Sequence, residues 1–125
     1  MRLECGYRTD IGRVRETNED SGYAGEHVWV VADGMGGHAA GDVASALVVE
    51  QVATLDTLAS RTVADVVRAV EAANHAILAY GSANPTSRGL GSTVTGVADI
   101  VVDGGPRWAV FNVGDSRVYH LAEGT

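Results

Sequence analysis

The sequence predicts an α+β domain in which antiparallel strands pack against a pair of helices. Two helical segments follow each other directly, because apolar residues recur at helical spacing from Val43 to Leu55 and again from Val63 to Tyr80. Strand-like segments lie on both sides of this pair, and the later ones are joined by short, turn-forming stretches. Two consecutive helices between groups of antiparallel strands favour a layered α+β structure over alternating βαβ units.

The predicted elements follow in order along the chain. Residues 2–11 alternate loosely and predict a strand ending in a turn, whereas 13–22 are typical of a polar loop. The apolar run Val28 to Ala32 predicts a strand buried on both faces. Thr62, followed three residues later by Asp65, predicts the start of the second helix. The remaining predictions are a loop at 81–91 and strands at 92–102, 107–114 and 117–122, joined as hairpins by DGGP and DS.

Composition indicates one globular domain covering residues 1–125. Apolar residues make up 46% of the chain and charged residues 20%. No run approaches the roughly 18 apolar residues of a membrane span, and the N-terminus lacks the apolar core of a signal peptide. We therefore expect a cytoplasmic chain without membrane contact. Its net charge of −7, with no lysine, argues against nucleic acid and suits the binding of hard cations by oxygen ligands.

Asp33 raises the question of what balances its charge. It directly ends the apolar run and precedes the glycine loop GMGGHAAG. Burying an unpaired carboxylate is costly, so a cation is expected nearby. Because a strand end holds the carboxylate still and glycine lets the chain bend around an ion, Asp33 and the Gly34 carbonyl are candidate metal ligands. An Asp-Gly pair is alternatively a hairpin turn, but here a helix follows.

The glycine loop also fits a dinucleotide-binding pattern. Gly34, Gly36 and Ala39 match G-x-G-x-x-A after a strand, which suggests an oxidoreductase as an alternative. However, the charge of Asp33 would repel a pyrophosphate. The acidic residue expected about twenty positions later should end a strand, whereas Asp56 follows a helical segment. These differences favour the metal-binding interpretation.

Two further acidic clusters stand at or beside predicted strand ends. Glu19 and Asp20 lie with Arg15 in the loop before the buried strand, and Asp115 follows the strand FNVG. Each cluster alone could be a solvated loop or a tight turn. Together with Asp33, they favour a shared role in cation binding.

Four segments of the chain resemble the bacterial metal-dependent protein phosphatases of the PPM family. They are TDIGRVRETNEDS, VVADGMGGHAAGDVAS, GLGSTVTGVAD and FNVGDSRVYHL, and they occur in the family's order along nearly the whole chain. The resemblance implies the N-terminal half of a four-layer α-β-β-α sandwich, with antiparallel sheets flanked by paired helices. It also implies hydrolysis of phosphoserine and phosphothreonine on proteins by a metal-activated water. The implied cofactors are two Mn²⁺ or Mg²⁺ ions, with a third ion in bacterial members.

The resemblance also implies a role for each candidate residue. Asp33 would bridge two metals and the Gly34 carbonyl would bind one of them; cations in this position lower the pKa of a water molecule toward neutrality. The other implied roles are a substrate-phosphate arginine, a general acid, a third-metal ligand and two carboxylates acting mainly through water. They fall on Arg15 (with Arg13 as the alternative), His38, Asp115, and Glu19 with Asp20. His38 is alternatively a solvated loop histidine.

The chain differs from the family in one respect. Two further metal-binding aspartates belong to the C-terminal half of the family's domain, in DG and DN motifs that would follow the last residue given, Thr125. We therefore expect a domain truncated before those motifs, with little activity from this chain alone. The alternative is a non-catalytic remnant that binds phosphorylated partners. Phosphorylated proteins are the expected partners in both cases, and an uncovered sheet face predicts self-association.

Overall fold

The computed structural model describes residues 3–13, 18–36, 40–87 and 89–122. Within them, two helices cover one face of a five-stranded antiparallel sheet. The elements are β1 (Asp20–Ala24), β2 (Val28–Met35), α1 (Ala40–Ala53), α2 (Val63–Ala83), β3 (Gly91–Ser92), β4 (Val94–Val102) and β5 (Gly105–Val113), with short 3-10 turns at Thr54–Thr57 and Pro85–Ser87. The strand order is β1-β2-β4-β5, and β3 pairs with the end of β2. The predicted α+β class is confirmed.

The core lies between the helices and one face of the sheet. Val28, Val30 and Ala32 of β2 are buried there, whereas Val31 is 44% exposed on the opposite face. The prediction of a strand buried on both faces is therefore wrong. Successive side chains of a strand point to opposite faces, and the described helices cover only one of them. The main helical residues of the core are Ala44, Val48, Val52, Val66, Ala73 and Ile77.

The second helix begins where the sequence predicted. Thr62 Oγ1 accepts a hydrogen bond from the Asp65 amide at 3.3 Å, and the Asp65 carboxylate accepts one from the Thr62 amide at 2.8 Å, which is a complete capping box. The helix ends at Ala83, so its last turn occupies part of the predicted loop 81–91. Neither described helix has the length and hydropathy of a membrane-spanning segment.

The hairpin of β4 and β5 is also confirmed. Asp103 and Gly104 at its tip have φ values of 51° and 77°. Positive φ at both central residues is typical of the two-residue turn whose twist matches that of paired strands. The two strands pair from Val94↔Val113 to Val102↔Gly105, which makes them the longest ladder in the described sheet.

Three further predictions about strands are wrong. Residues 3–11 and 117–122 form no strand in the described structure, so the DS turn at 115–116 joins no hairpin. Instead these segments lie over the uncovered face of the sheet, where Cys5 and Val118 line a cavity together with Trp29 and Val97. These segments therefore line the sheet face without backbone pairing, and most of their large apolar side chains stay exposed.

The third error concerns β1. Residues 20–24 were predicted to belong mostly to a polar loop, yet they pair with β2 along their whole length. Their composition, DSGYA, carries little strand preference. Contacts to the helical layer hold this strand in place, because Ser21 Oγ bonds Ser45 Oγ of α1 at 2.9 Å and the Tyr23 hydroxyl donates to the Asp56 carboxylate at 2.6 Å.

Candidate metal centre

Asp20 and Asp33 face each other across the β1–β2 ladder. Their neighbours Ser21 and Ala32 point toward the helices, so alternation places both carboxylates on the opposite face. Facing residues of an antiparallel pair have Cβ atoms about 4.5–5.5 Å apart, and like charges there repel. Both residues are exposed, so the expected burial of Asp33 is wrong, and it is the repulsion between the two carboxylates that favours a cation here.

The backbone of Asp33 is held on the side opposite β1 by Thr93. The Thr93 amide donates to the Asp33 carbonyl at 2.9 Å, and the Asp33 amide donates to Thr93 Oγ1 at the same distance. Thr93 Oγ1 also bonds Ser116 Oγ at 2.9 Å. The end of β2 is therefore fixed between two neighbouring segments, as a metal ligand requires. Sequence reasoning gave Thr93 no role, although it lies in GLGSTVTGVAD, one of the segments that resemble the family.

Gly34 and Gly41 allow the start of α1 to approach the end of β2. A Cβ on Gly34 would lie 1.8 Å from the Gly41 carbonyl oxygen, and one on Gly41 would lie 1.7 Å from Glu19 Oε2. The Gly34 amide donates to the Glu19 carbonyl at 3.0 Å. The glycine at position 34 is thus required by close packing. The role of its carbonyl as a metal ligand stays a prediction.

Glu19 carries a buried carboxylate oxygen beside this contact. Its Oε2 has no hydrogen-bond partner among the described residues and lies against the first turn of α1. The positive end of a helix dipole favours an anion there, but a buried oxygen without a hydrogen bond remains costly. An ordered water or a nearby cation would satisfy it, which fits the predicted role of Glu19 as a ligand acting through water.

The carboxylates are the right type of ligand for a hard divalent cation, but the described residues provide too few of them. Carboxylate oxygens are the ligands that Mg²⁺ and Mn²⁺ prefer. Among the described residues, however, no three His, Cys, Asp or Glu side chains are grouped closely enough to hold one ion. The described chain therefore provides part of a site: Asp33 with Asp20 opposite, and Glu19 behind them.

The other predicted residues are placed as follows. Asp115 is exposed in the turn after β5; its neighbour Ser116, rather than Asp115 itself, lines the cleft in front of Asp33. Arg15 and His38 lie outside the described residues, so their roles stay predictions. Arg13 is exposed in the turn at residues 12–13.

The cleft at the carboxylate pair is polar and has a volume of about 300 Å³. One wall is formed by β1 and β2 with Asp20 and Asp33, and the other by residues 7–10 and Ser116. Arg8 contributes the cationic side chain to this lining among the described residues, and sequence reasoning missed it. A cleft of this size, lined by the carboxylates of Asp10, Asp20 and Asp33 and by one guanidinium, is suited to small charged groups.

Comparison with known proteins identifies phosphatases as relatives. The chain is 44% identical over 124 residues to the serine/threonine protein phosphatase PstP of Mycobacterium tuberculosis, a match that covers 98% of this chain and 23% of that protein. It is 37% identical over 130 residues to the serine/threonine phosphatase stp of Listeria monocytogenes, covering 95% of this chain and 50% of the relative. No model of a known protein family matches it.

Solved structures agree with these relatives. The catalytic domain of PstP in complex with two manganese ions superposes with a TM-score of 0.84 at 43% identity, covering 94% of this chain and 50% of that one. The PPM Ser-Thr phosphatase MsPP of Mycobacterium smegmatis, in complex with cacodylate, superposes with a TM-score of 0.69 at 34% identity. This match covers 87% of the present chain and 44% of MsPP. The chain thus spans about half of the catalytic domains it matches.

The fold also decides against the dinucleotide alternative. The described sheet is antiparallel throughout, whereas a dinucleotide-binding fold requires a parallel sheet with helical crossovers. The order of elements, the carboxylates at the end of β2 and the relatives all agree: the chain belongs to the PPM family of metal-dependent protein phosphatases and corresponds to the N-terminal part of their catalytic domain.

Proposed function

We propose that these residues belong to a protein that hydrolyses phosphoserine and phosphothreonine on other proteins with two Mn²⁺ or Mg²⁺ ions. The observation that carries the proposal is the pair Asp20 and Asp33, facing each other at a strand end that hydrogen bonds hold on both sides. The similarity to a catalytic domain solved with two manganese ions supports it. The acidic chain without lysine supports a protein rather than a nucleic acid as substrate.

Each candidate residue has its own role in the proposed hydrolysis of a phosphoester. Divalent ions, when bound, would supply a water molecule of lowered pKa as the nucleophile and neutralise phosphate charge. Asp33 and the Gly34 carbonyl would hold the ions, Glu19 and Asp20 would contribute mainly through intervening water, and Asp115 would hold a third ion. Thr93 keeps Asp33 in register, so that the reacting groups stay aligned.

Two residues outside the described part complete the proposal. Arg15 holds the substrate phosphate, since a guanidinium can donate to two phosphate oxygens at once. His38 protonates the departing serine or threonine oxygen. We expect Arg15→Ala to raise KM for a phosphopeptide more than it lowers kcat, provided that the contact is equally strong in the ground and transition states. A normal KM in Arg15→Ala, with a raised KM in Arg13→Ala, would assign the role to Arg13.

The proposal is tested by Asp33→Asn, which removes one charge at nearly constant shape. Binding of Mn²⁺ to the chain is measured by calorimetry. Hydrolysis is measured as phosphate release from a phosphothreonine peptide by a protein in which this chain is joined to the remaining half of the mycobacterial catalytic domain. We expect Asp33→Asn to abolish both, whereas Asp103→Asn, in the distant β4–β5 turn, leaves both intact. Unchanged Mn²⁺ affinity in folded Asp33→Asn would refute the assignment.

The second candidate function is a non-catalytic module that binds phosphorylated partners. It is favoured by the incomplete group of ligands among the described residues. The two functions differ in the joined protein, which hydrolyses the peptide if the N-terminal residues are catalytically sound. Binding of the peptide without any hydrolysis by the joined protein would favour the module. We expect the 125-residue chain alone to release little or no phosphate even with excess Mn²⁺.

The proposal extends to partners and location. Phosphorylated substrates of serine/threonine kinases are the proposed partners, and the cytoplasm is the proposed compartment. We also propose that the chain by itself associates through the uncovered sheet face, where Trp108 and Val110 are 46% and 62% exposed.

A further inference from the structure

Residues 7–9 are held beside the carboxylate pair, first through Tyr7. Its ring rests on Gly22 of β1, so closely that a Cβ on Gly22 would lie 2.1 Å from a ring carbon. Gly22 lies two residues after Asp20 and therefore on the same face of the sheet. Gly22 thus leaves room for the tyrosine ring to pack on the wall of the cleft.

The other end of this segment is tied down by Asn18. Its side-chain amide donates to Thr9 Oγ1 at 2.8 Å, and its carbonyl oxygen accepts from the Asp20 amide at 3.1 Å. Asn18 therefore links Thr9 directly to the start of β1. The packing of Tyr7 on Gly22 and the hydrogen bond from Asn18 to Thr9 together hold the residues on both sides of Arg8.

Arg8, between these anchors, lines the cleft together with Asp20 and Asp33. Within the described part of the chain it forms no hydrogen bond or ion pair, so its guanidinium is not used to neutralise either carboxylate. A structural arginine would be engaged, as Arg61 is with four acceptor groups in the same structure. Arg8 is instead anchored through its neighbours and keeps its five donors available.

We propose that Arg8 is a second phosphate-binding residue of this site, distinct from the predicted Arg15. The inference rests on the proposed function, because it assigns a substrate contact in the same cleft. A phosphoryl group entering the cleft meets the carboxylates of Asp10, Asp20 and Asp33, and their repulsion must be offset by cations. A planar guanidinium on the opposite wall offsets part of it and donates to phosphate oxygens from a fixed direction.

The test is a calorimetric titration of the Mn²⁺-loaded 125-residue chain with inorganic phosphate. Loss of a charge-assisted hydrogen bond in Arg8→Gln should weaken phosphate binding about tenfold. Arg8→Lys should recover part of the affinity, because it retains the charge but not the fork of donors. Arg107→Gln is the matched control: Arg107 lies on β5 outside the lining of this cleft and donates only to its neighbour, the Pro106 carbonyl, in the described contacts.

The titration also separates Arg8 from the metals and from catalysis. Mn²⁺ affinity should be the same in Arg8→Gln as in the unsubstituted chain, since the arginine contacts neither carboxylate. Equal phosphate affinity in both, or no phosphate binding by the unsubstituted chain, would overturn the inference. If the proposed hydrolase function is wrong, the unsubstituted joined protein will release no phosphate. The phosphate titration of the chain can still be interpreted in that case, because it measures binding and not hydrolysis.

Discussion

Thr93 shows how one residue can govern the candidate site without contacting substrate. It bonds both the amide and the carbonyl of Asp33, and it is in turn bonded by Ser116. Thr93→Val keeps the shape and removes the hydroxyl, which leaves the Asp33 amide unpaired. We expect about tenfold weaker Mn²⁺ binding, from the loss of about one hydrogen bond. Thr93→Ser restores the hydroxyl and should bind normally; equal weakening in both variants would mean that the methyl group matters instead.

Gly41 tests the close contact between α1 and β2. Alanine is better than glycine in a helix by about 1 kcal/mol, but here its Cβ would lie 1.7 Å from Glu19 Oε2 and 2.8 Å from the Met35 amide. Overpacking of this kind costs about 1–3 kcal/mol, so the steric effect should prevail. We expect Gly41→Ala to lower the free energy of unfolding in urea. Stabilisation by Gly41→Ala would show that Glu19 can move aside freely.

At the scale of single residues, the sequence reveals a side chain that breaks its local pattern. Asp33 interrupts an apolar run, so its charge marks it as a candidate ligand. Thr93 does not stand out, because its partner Asp33 lies 60 positions away. Arg8 is equally hidden, since only the folded chain shows that Tyr7 and Thr9 are anchored to β1.

At the scale of elements, predictions succeeded where the signal lies in neighbouring residues. They failed where an element depends on contacts with residues far away in the sequence. The capping box of α2 and the turn at Asp103 and Gly104 depend on adjacent residues, and both were predicted. The strand β1 depends on β2 and on contacts to α1, which its composition does not reveal. The apolar alternation of 2–11 and 117–122 predicted strands, yet the described parts of these segments line a sheet face without pairing to it.

Arg61 is the main connection between the loop before α2 and strand β4. It is 4% exposed and donates to the Asp99 carboxylate and to the carbonyls of Leu55 and Leu58. Arg61→Met fills similar space but leaves these acceptors and the charge of Asp99 without their donor. Removing one member of a largely buried ion pair costs about 3 kcal/mol. Urea unfolding should show a loss of that size; a change below about 0.5 kcal/mol, typical of surface substitutions, would contradict it.

The same cluster predicts a dependence of stability on pH. Burial raises the pKa of Asp99, but hydrogen bonds from His27 and Arg61 outweigh it and hold the pKa below its usual value. A depressed pKa stabilises the fold above the ordinary carboxyl pKa of about 3.9 and loses that effect as pH falls through the folded value. The unfolding free energies of the wild type and Asp99→Asn should therefore converge as pH falls below about 4. A constant difference would exclude this linkage.

At the scale of the whole molecule, the described helices cover one face of the sheet, and no described helix covers the other. Trp29 and Trp108 stack at a tilt on the uncovered face, with ring centroids 5.9 Å apart. Val97 and Val110 face each other beside them. Residues 3–7 and 117–120 cover the face only in part, leaving a largely apolar cavity of about 690 Å³. Exposed apolar surface of this kind favours association.

The last prediction compares the chain alone with the joined protein. Because burial of an apolar surface contributes about 25 cal/mol per Å², two copies of the uncovered face should associate as the concentration of the chain rises. Sedimentation velocity should then show a dimer or larger species whose fraction rises with concentration. Val110→Lys places a charge at the centre of the face and should yield a monomer, whereas Val63→Lys, on the exposed side of α2, should not. The joined protein should be monomeric, since the second half of the catalytic domain would occupy the same face. A monomeric chain at every concentration, or equal effects of the two lysine variants, would refute association through this surface.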